Sequence, residues 1–321
     1  MKIEKLPSFF EYISFVFYYG GCLVGPSYEY KDYSDFIHKR GIYAKYHGFV
    51  IPSLVNLFAG FVAMGIVVVF GKTFDIEKMT EEGFKNGYSL IWKYTYLNIT
   101  MFVQRCRYYS AWLLANANVT VCGFNYDPEA KTYLERYQKI SCARPLGVEL
   151  STDFRKKMED WNCSAQYWLR NYIYLRINSP VEKDPKKKKD VMASNVTFLC
   201  SAIWHGLYPG YYSAFAQAFL VQQVCKGMFK IKHKFAGIPS ILRTIISWCG
   251  IICLLNYCAA HMILLDFDKG LKLAASLDYT MTIFIFAGFV YFNFLGGAKG
   301  GRKSSKPKEP TEEEMAKLKK E

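Results

Sequence analysis

The sequence predicts an all-α fold, a polytopic transmembrane bundle of about seven or eight helical spans. Two observations carry that prediction. Phe49–Phe70, Thr244–Leu265 and Tyr279–Ala298 contain no Lys, Arg, Asp or Glu, and each is long enough to cross a hydrocarbon core of ~30 Å as a helix. Short basic runs separate the apolar stretches, among them KDPKKKK at 183–189 and FRKKMED at 154–160, as expected of loops on the positive side of a membrane. Lipid leaves a backbone to satisfy its own hydrogen bonds, which selects helices. Residues 1–295 read as one transmembrane domain, and 296–321 as a disordered basic tail rich in Gly, Lys, Pro and Glu.

The elements follow in order. Ser8–Val24 reads as a first span, ending in the Gly/Pro-rich turn of YYGGCLVGPSYEY. Tyr28–His47 is polar and aromatic, suited to an interfacial helix or loop. Phe49–Phe70 is the second span, with Ala59, Gly60, Ala63 and Gly65 offering small faces for close packing. Gly87–Phe124 is interrupted by Lys93, Arg105 and Arg107. It reads as two helices, or one long tilted one, turned toward a polar interior. Tyr126–Asp160 has no apolar run. In WNCSAQYWLRNYIYLR at 161–176, Trp161, Ala165, Trp168, Tyr172 and Leu175 recur at helical spacing, which predicts an amphipathic interfacial helix. Val191–Cys225 is too long for one untilted span, and Pro209-Gly210 divides it into a helix to about Leu207 and another from Tyr211. Two further spans are expected near 238–265 and 273–295.

Composition excludes several classes. The formal net charge is +14, yet no nucleic-acid-binding motif accompanies it, and nucleic acid is not an expected partner. The ten cysteines show no CxxC or Cys/His spacing, so no metal is expected, and those inside apolar spans read as small buried hydrophobes. Four N-x-S/T sequons, at Asn98, Asn118, Asn162 and Asn195, lie in or beside apolar spans. No cleavable signal peptide is expected, because Tyr12–Tyr28 leads to no small-residue cleavage site.

IWHGLYPGYY at 203–212 places one imidazole in a stretch without formal charge. Ionisable groups inside a membrane are costly and so point to function. Low dielectric keeps such a ring neutral, the state a general base requires. Gly206 leaves room for a ligand, and Trp204, Tyr208, Tyr211 and Tyr212 would form an aromatic wall around His205. Its expected partner is uncharged, because a buried unpaired charge is too costly. Asn162, beside Trp161, is the best candidate, and its amide N–H would bind a carbonyl or oxyanion. The competing role for Asn162 is a helix cap. His38, His47, His233 and His261 lack comparable surroundings.

The pair WN at 161–162, WLRNYIYLR at 168–176 and SAIWHGLYPGYY at 201–212 resemble the membrane-bound O-acyltransferase family, lysophospholipid acyltransferase branch, broad-specificity fungal and plant type. The segments at 7–30 and 121–128 fit the same branch, and the likeness covers most of the chain. Members usually carry several more helices before the segment matching 7–30.

The resemblance implies a catalytic His205, a required Asn162 and a helical bundle enclosing a reaction chamber. It implies acyl-CoA as co-substrate, a lysophospholipid acceptor and the endoplasmic reticulum membrane, with no further cofactor. Anionic CoA phosphates would be drawn by Arg155, Lys156, Lys157 and the run Lys186, Lys187, Lys188 and Lys189. The ending KLKKE resembles a dilysine retrieval signal, which requires a cytosolic C-terminus. The alternatives are a different acceptor (a sterol, diacylglycerol or protein hydroxyl) or a non-catalytic scaffold or transporter.

Overall fold

The computed structural model describes residues 6–22, 24–45, 49–133, 135–178 and 190–295. The basic run 186–189, His47 and the tail 296–321 lie outside them. Among the described residues every regular element is helical.

The chain opens with α1 (Phe9–Val16), where Ser8 and Glu11 form a reciprocal capping box. That helix has eight residues, too few for the expected first span. The Gly/Pro-rich turn follows, then α2 (Tyr30–Ile37). Tyr18, Tyr33, Tyr43 and Phe124 gather this segment into an aromatic core, with Phe36 stacked on Phe124 at 4.8 Å.

Two long helices come next: α3 (Val50–Phe70) and, after the short α4 (Glu82–Gly87), α5 (Leu90–Val121). The small face expected of α3 is the one packed on α5. Gly60 and Ala63 are buried, and a methyl group at position 60 would lie 3.1 Å from Leu114. The opposite face, with Phe58 and Val68, is exposed. Of the two forms expected for 87–124, α5 takes the single long helix, starting where Ser89 accepts from the Trp92 amide.

The segment expected as a plain loop contains α6 (Pro145–Leu150) and α7 (Phe154–Asp160). Pro145 supplies a pre-set first helical residue, and Asp153 caps α7 by accepting from Arg155 and Lys156. The amphipathic stretch becomes α8 (Cys163–Leu169), one π-helical turn over Arg170–Tyr174, and α9 (Leu175–Ile177). Then α10 (Asp190–His205) and α11 (Pro209–Ile231) divide at the expected break. The last helices are α12 (Ser240–Leu264), α13 (Phe267–Ser276) and α14 (Thr280–Asn293). Asp266 caps α13 through the Lys269 amide, at 3.0 Å.

The main apolar core lies among α5, α11, α12 and α13, around Leu97, Met101, Val221, Tyr257 and Leu273. Two described helices, α3 and α12, are long and apolar enough to cross a membrane, against the seven or eight spans expected. A third span arises if α13 and α14 count as one, bent by 96°. The difference has local causes. The residues at 7–24 build too short a helix, and α5 carries Lys93 and Arg105 inward.

Candidate active site

The site begins at the break between α10 and α11. Gly206 has φ of +126°, a conformation that side chains rarely adopt, so α10 ends on His205. Pro209 then starts α11 as its first residue. The Gly210 amide donates to Leu265 O at 2.7 Å, and a Cβ at 210 would stand 2.5 Å from His261 O. Glycine therefore lets the start of α11 rest on the end of α12, which fixes the turn that carries His205.

The imidazole lies against Tyr211 at 5.4 Å and Phe215 at 5.3 Å between ring centroids. Neither ring nitrogen is hydrogen-bonded to another described residue. Phe215, and Ser201 one turn before the histidine, line a cavity of about 3180 Å³, whereas His205 stands just behind that lining.

Asn162 is built from the other side. The Arg144 amide donates to Asp160 O at 2.9 Å, and its guanidinium reaches the buried Asp160 carboxylate at 3.3 Å. The Trp161 ring is held by Tyr108, Tyr109 and Trp112, at 5.5, 5.9 and 4.9 Å. After this anchor the chain turns through Asn162 at φ +47°, ψ +57°. Asn is among the few residues with a side chain that enter the left-handed region readily. Its amide makes no cap bond to α8, so the expected capping role is absent. Cys163 and Ser164, the next residues, line the cavity.

No hydrogen bond joins Asn162 to His205. Aromatic rings flank both residues: Tyr108 meets Trp161 edge to face beside Asn162, and Tyr211 lies against His205. Behind the Trp161 cluster, Arg105 binds Glu149 through two bonds of 2.7 and 2.8 Å, and Tyr109 donates to the same carboxylate at 2.7 Å. Arg105 also donates to Asn256, which donates to Asn98 at 2.7 Å. This network ties α5 to α6 and α12, and fixes the helix that holds Trp161.

Several expected roles change. Trp161 is an anchor in an aromatic cluster rather than a cavity wall. Trp204 and Tyr208 are exposed, because the sharp break at Gly206 turns them outward. Tyr212 lines a separate small apolar groove between α10 and α11. The wall against His205 is Tyr211 with Phe215; the latter is legible as the residue four positions after Tyr211 on one helix face.

Lys157 is not available to a phosphate. It is 1% exposed, and its Nζ donates to Val148 O at 2.5 Å and Glu149 O at 3.2 Å. Burial pushes its ammonium down to about 8. Lys156 and Arg155 are paired with Asp160 and Glu159, although Arg155 does line the cavity. Lys230, Lys232 and Arg243 also line it. The sequence did not single them out, because a membrane-side lysine and a site lysine look alike in it. Among the described residues no three His, Cys, Asp or Glu side chains are placed to hold a metal.

A partly exposed imidazole at a helix end, an unbonded amide at a left-handed turn and a large cavity belong to an all-helical protein with helices apolar and long enough to cross a membrane. The chain belongs to the membrane-bound O-acyltransferase family, whose profile matches residues 2–265. It is 28% identical to lysophospholipid acyltransferase 6 of Drosophila melanogaster, over 90% of this chain and 42% of that protein. It is 25% identical to the lysophospholipid acyltransferase of Schizosaccharomyces pombe, over 91% and 59%. Lysophospholipid acyltransferase 1 of Arabidopsis thaliana is 26% identical, over 96% and 67%. The chain thus spans about half the length of several relatives it matches.

Proposed function

We propose that the chain transfers a fatty acyl group from acyl-CoA to the free glycerol hydroxyl of a lysophospholipid. The observation that carries this reading is the unbonded His205 ring, packed on the cavity-lining Phe215. In the proposed reaction His205 removes the hydroxyl proton as that oxygen attacks the thioester carbonyl. The Asn162 N–H donates to the oxygen that becomes negative. The intermediate collapses, the carbon–sulfur bond breaks, and imidazolium returns its proton to the CoA thiolate. The products are a diacyl phospholipid and free CoA, and no covalent enzyme intermediate is needed. Holding the two reactants ~3–3.5 Å apart supplies ~7–11 kcal/mol of the barrier, and the base adds ~10²–10⁴-fold.

Support for an anionic donor comes from Arg155, Lys230, Lys232 and Arg243, which line the same cavity. The relatives named as lysophospholipid acyltransferases favour that acceptor over a sterol, diacylglycerol or protein hydroxyl. The same reading puts the protein in the endoplasmic reticulum membrane. The test is CoA release by the purified chain in lipid nanodiscs, given oleoyl-CoA and a panel of lysophospholipids, with products identified by mass spectrometry. Release should depend on a lysolipid, and His205→Ala should abolish it without loss of folded protein. Turnover retained by His205→Ala would remove the histidine from the mechanism. Thioester cleavage indifferent to every lysolipid would remove the acceptor.

A further inference from the structure

We propose that the part of the cavity around Glu29 is a headgroup site for a zwitterionic lysophospholipid, one whose phosphate bears an ammonium group. The proposal rests on the lysophospholipid reading and adds a preference to it. The cavity is lined by groups of both signs. Lys230, Lys232 and Arg243 come from the end of α11 and the start of α12; Glu29 and Asp32 come from the start of α2, with tyrosines and a tryptophan also in the lining.

Glu29 and Asp32 are not equivalent. Asp32 is neutralised by Lys139 at 2.8 Å. Glu29 is held only by the Tyr172 hydroxyl, which donates to its two oxygens at 2.9 and 2.8 Å. A neutral donor orients a carboxylate without cancelling its charge. Among the described residues no cation lies within ion-pair distance of Glu29, and Arg176 stands over the Tyr172 ring at 5.3 Å, so Glu29 lines the cavity without a direct ion pair.

Around it the surface is π-rich. Tyr28 and Tyr30 flank Glu29 in the chain and line the cavity. Trp168 is exposed and stacked on Tyr172 at 5.8 Å, and Tyr167 is exposed and lines the cavity with them. A carboxylate rimmed by aromatic rings attracts an ammonium, whose charge also favours the ring faces. Arg170, exposed and lining the same cavity, supplies the opposite charge for a phosphate.

The position suits the chemistry. Tyr167 follows Asn162 by five residues of helix, or ~7.5 Å of rise, so a headgroup here would belong to a lipid whose glycerol lies near Asn162. A headgroup with only negative charge would meet Glu29 with like charge.

The test is binding, not turnover. Radiolabelled lysophosphatidylcholine and lysophosphatidic acid with one acyl chain would be titrated onto the full chain in nanodiscs, without acyl donor and corrected for empty discs. Wild type should bind the choline lipid at least tenfold more tightly. Glu29→Gln, which keeps an acceptor for Tyr172, should bring the two lipids within about twofold of each other. Trp168→Leu, a surface change unlinked to folding of the core, should lower the preference in the same sense. Equal binding by wild type, or a Glu29→Gln loss shared equally by both lipids, overturns the proposal. Since binding is read without acyl donor, a chain that binds with this preference yet fails the CoA-release test counts against the acyltransferase reading alone, and a chain that passes that test yet binds both lipids equally counts against this proposal alone.

Discussion

At the scale of single residues, Asn162 answers two demands at once. Its backbone is left-handed at φ +47°, and its amide is unbonded. Alanine removes the amide and also costs about 1–2 kcal/mol for the left-handed backbone. Glycine removes the amide and accepts the backbone freely. If the amide serves the reaction, Asn162→Gly keeps the melting temperature of the wild type yet loses about 10²–10³-fold in turnover, the cost of an oxyanion donor. If Asn162 serves only the turn, the glycine variant turns over normally and the alanine variant alone is impaired. Turnover and thermal unfolding of both variants separate the two roles. The sequence exposed both candidate residues through WN and WHG. It did not reveal the left-handed turn, because φ at position 162 is set by Asp160, held by Arg144, and by Trp161, held by α5.

Element by element, α5 explains why a helix with Lys93, Arg105 and Arg107 stays unbroken through the interior. The charge of Arg105 is met by groups far along the chain: Glu149 is 44 residues away, and Asn256 is 151 residues away. No local pattern in 87–124 names those partners, so the sequence left two helices and one helix both open. Side-chain exposures of 11% and 20% make this a largely buried pair. Removing one partner leaves the other charge stranded, at about 3–5 kcal/mol. Arg105→Met and Glu149→Leu should therefore each lower thermal stability in detergent strongly. The double variant should lose less than the sum of the two. Additive losses in that double-mutant cycle would mean the pair does not hold α5 to α6.

For the whole molecule, the exposed aliphatic faces of α3 and α12 require lipid rather than water. Contiguous apolar surface of that extent does not remain free in a soluble monomer. After membranes are washed at alkaline pH in carbonate, the chain should stay in the pellet, and it should leave only with detergent; release by carbonate would place it on the membrane and not in it. The sequence by itself determined the helical class, the apolar runs of α3 and α12, the break after His205 and the two candidate residues, Asn162 and His205. Those features are local: hydropathy, glycine and proline act within a turn or two of chain. Tertiary structure decided what lies between: that α13 and α14 bend by 96°, that Lys157 is buried and not a phosphate ligand, that Phe215 lies against the histidine, and that Glu29 lines the cavity bonded to Tyr172. Each depends on residues tens to hundreds of positions apart meeting in space, where burial and pairing set the chemistry of a side chain that the chain order leaves undefined.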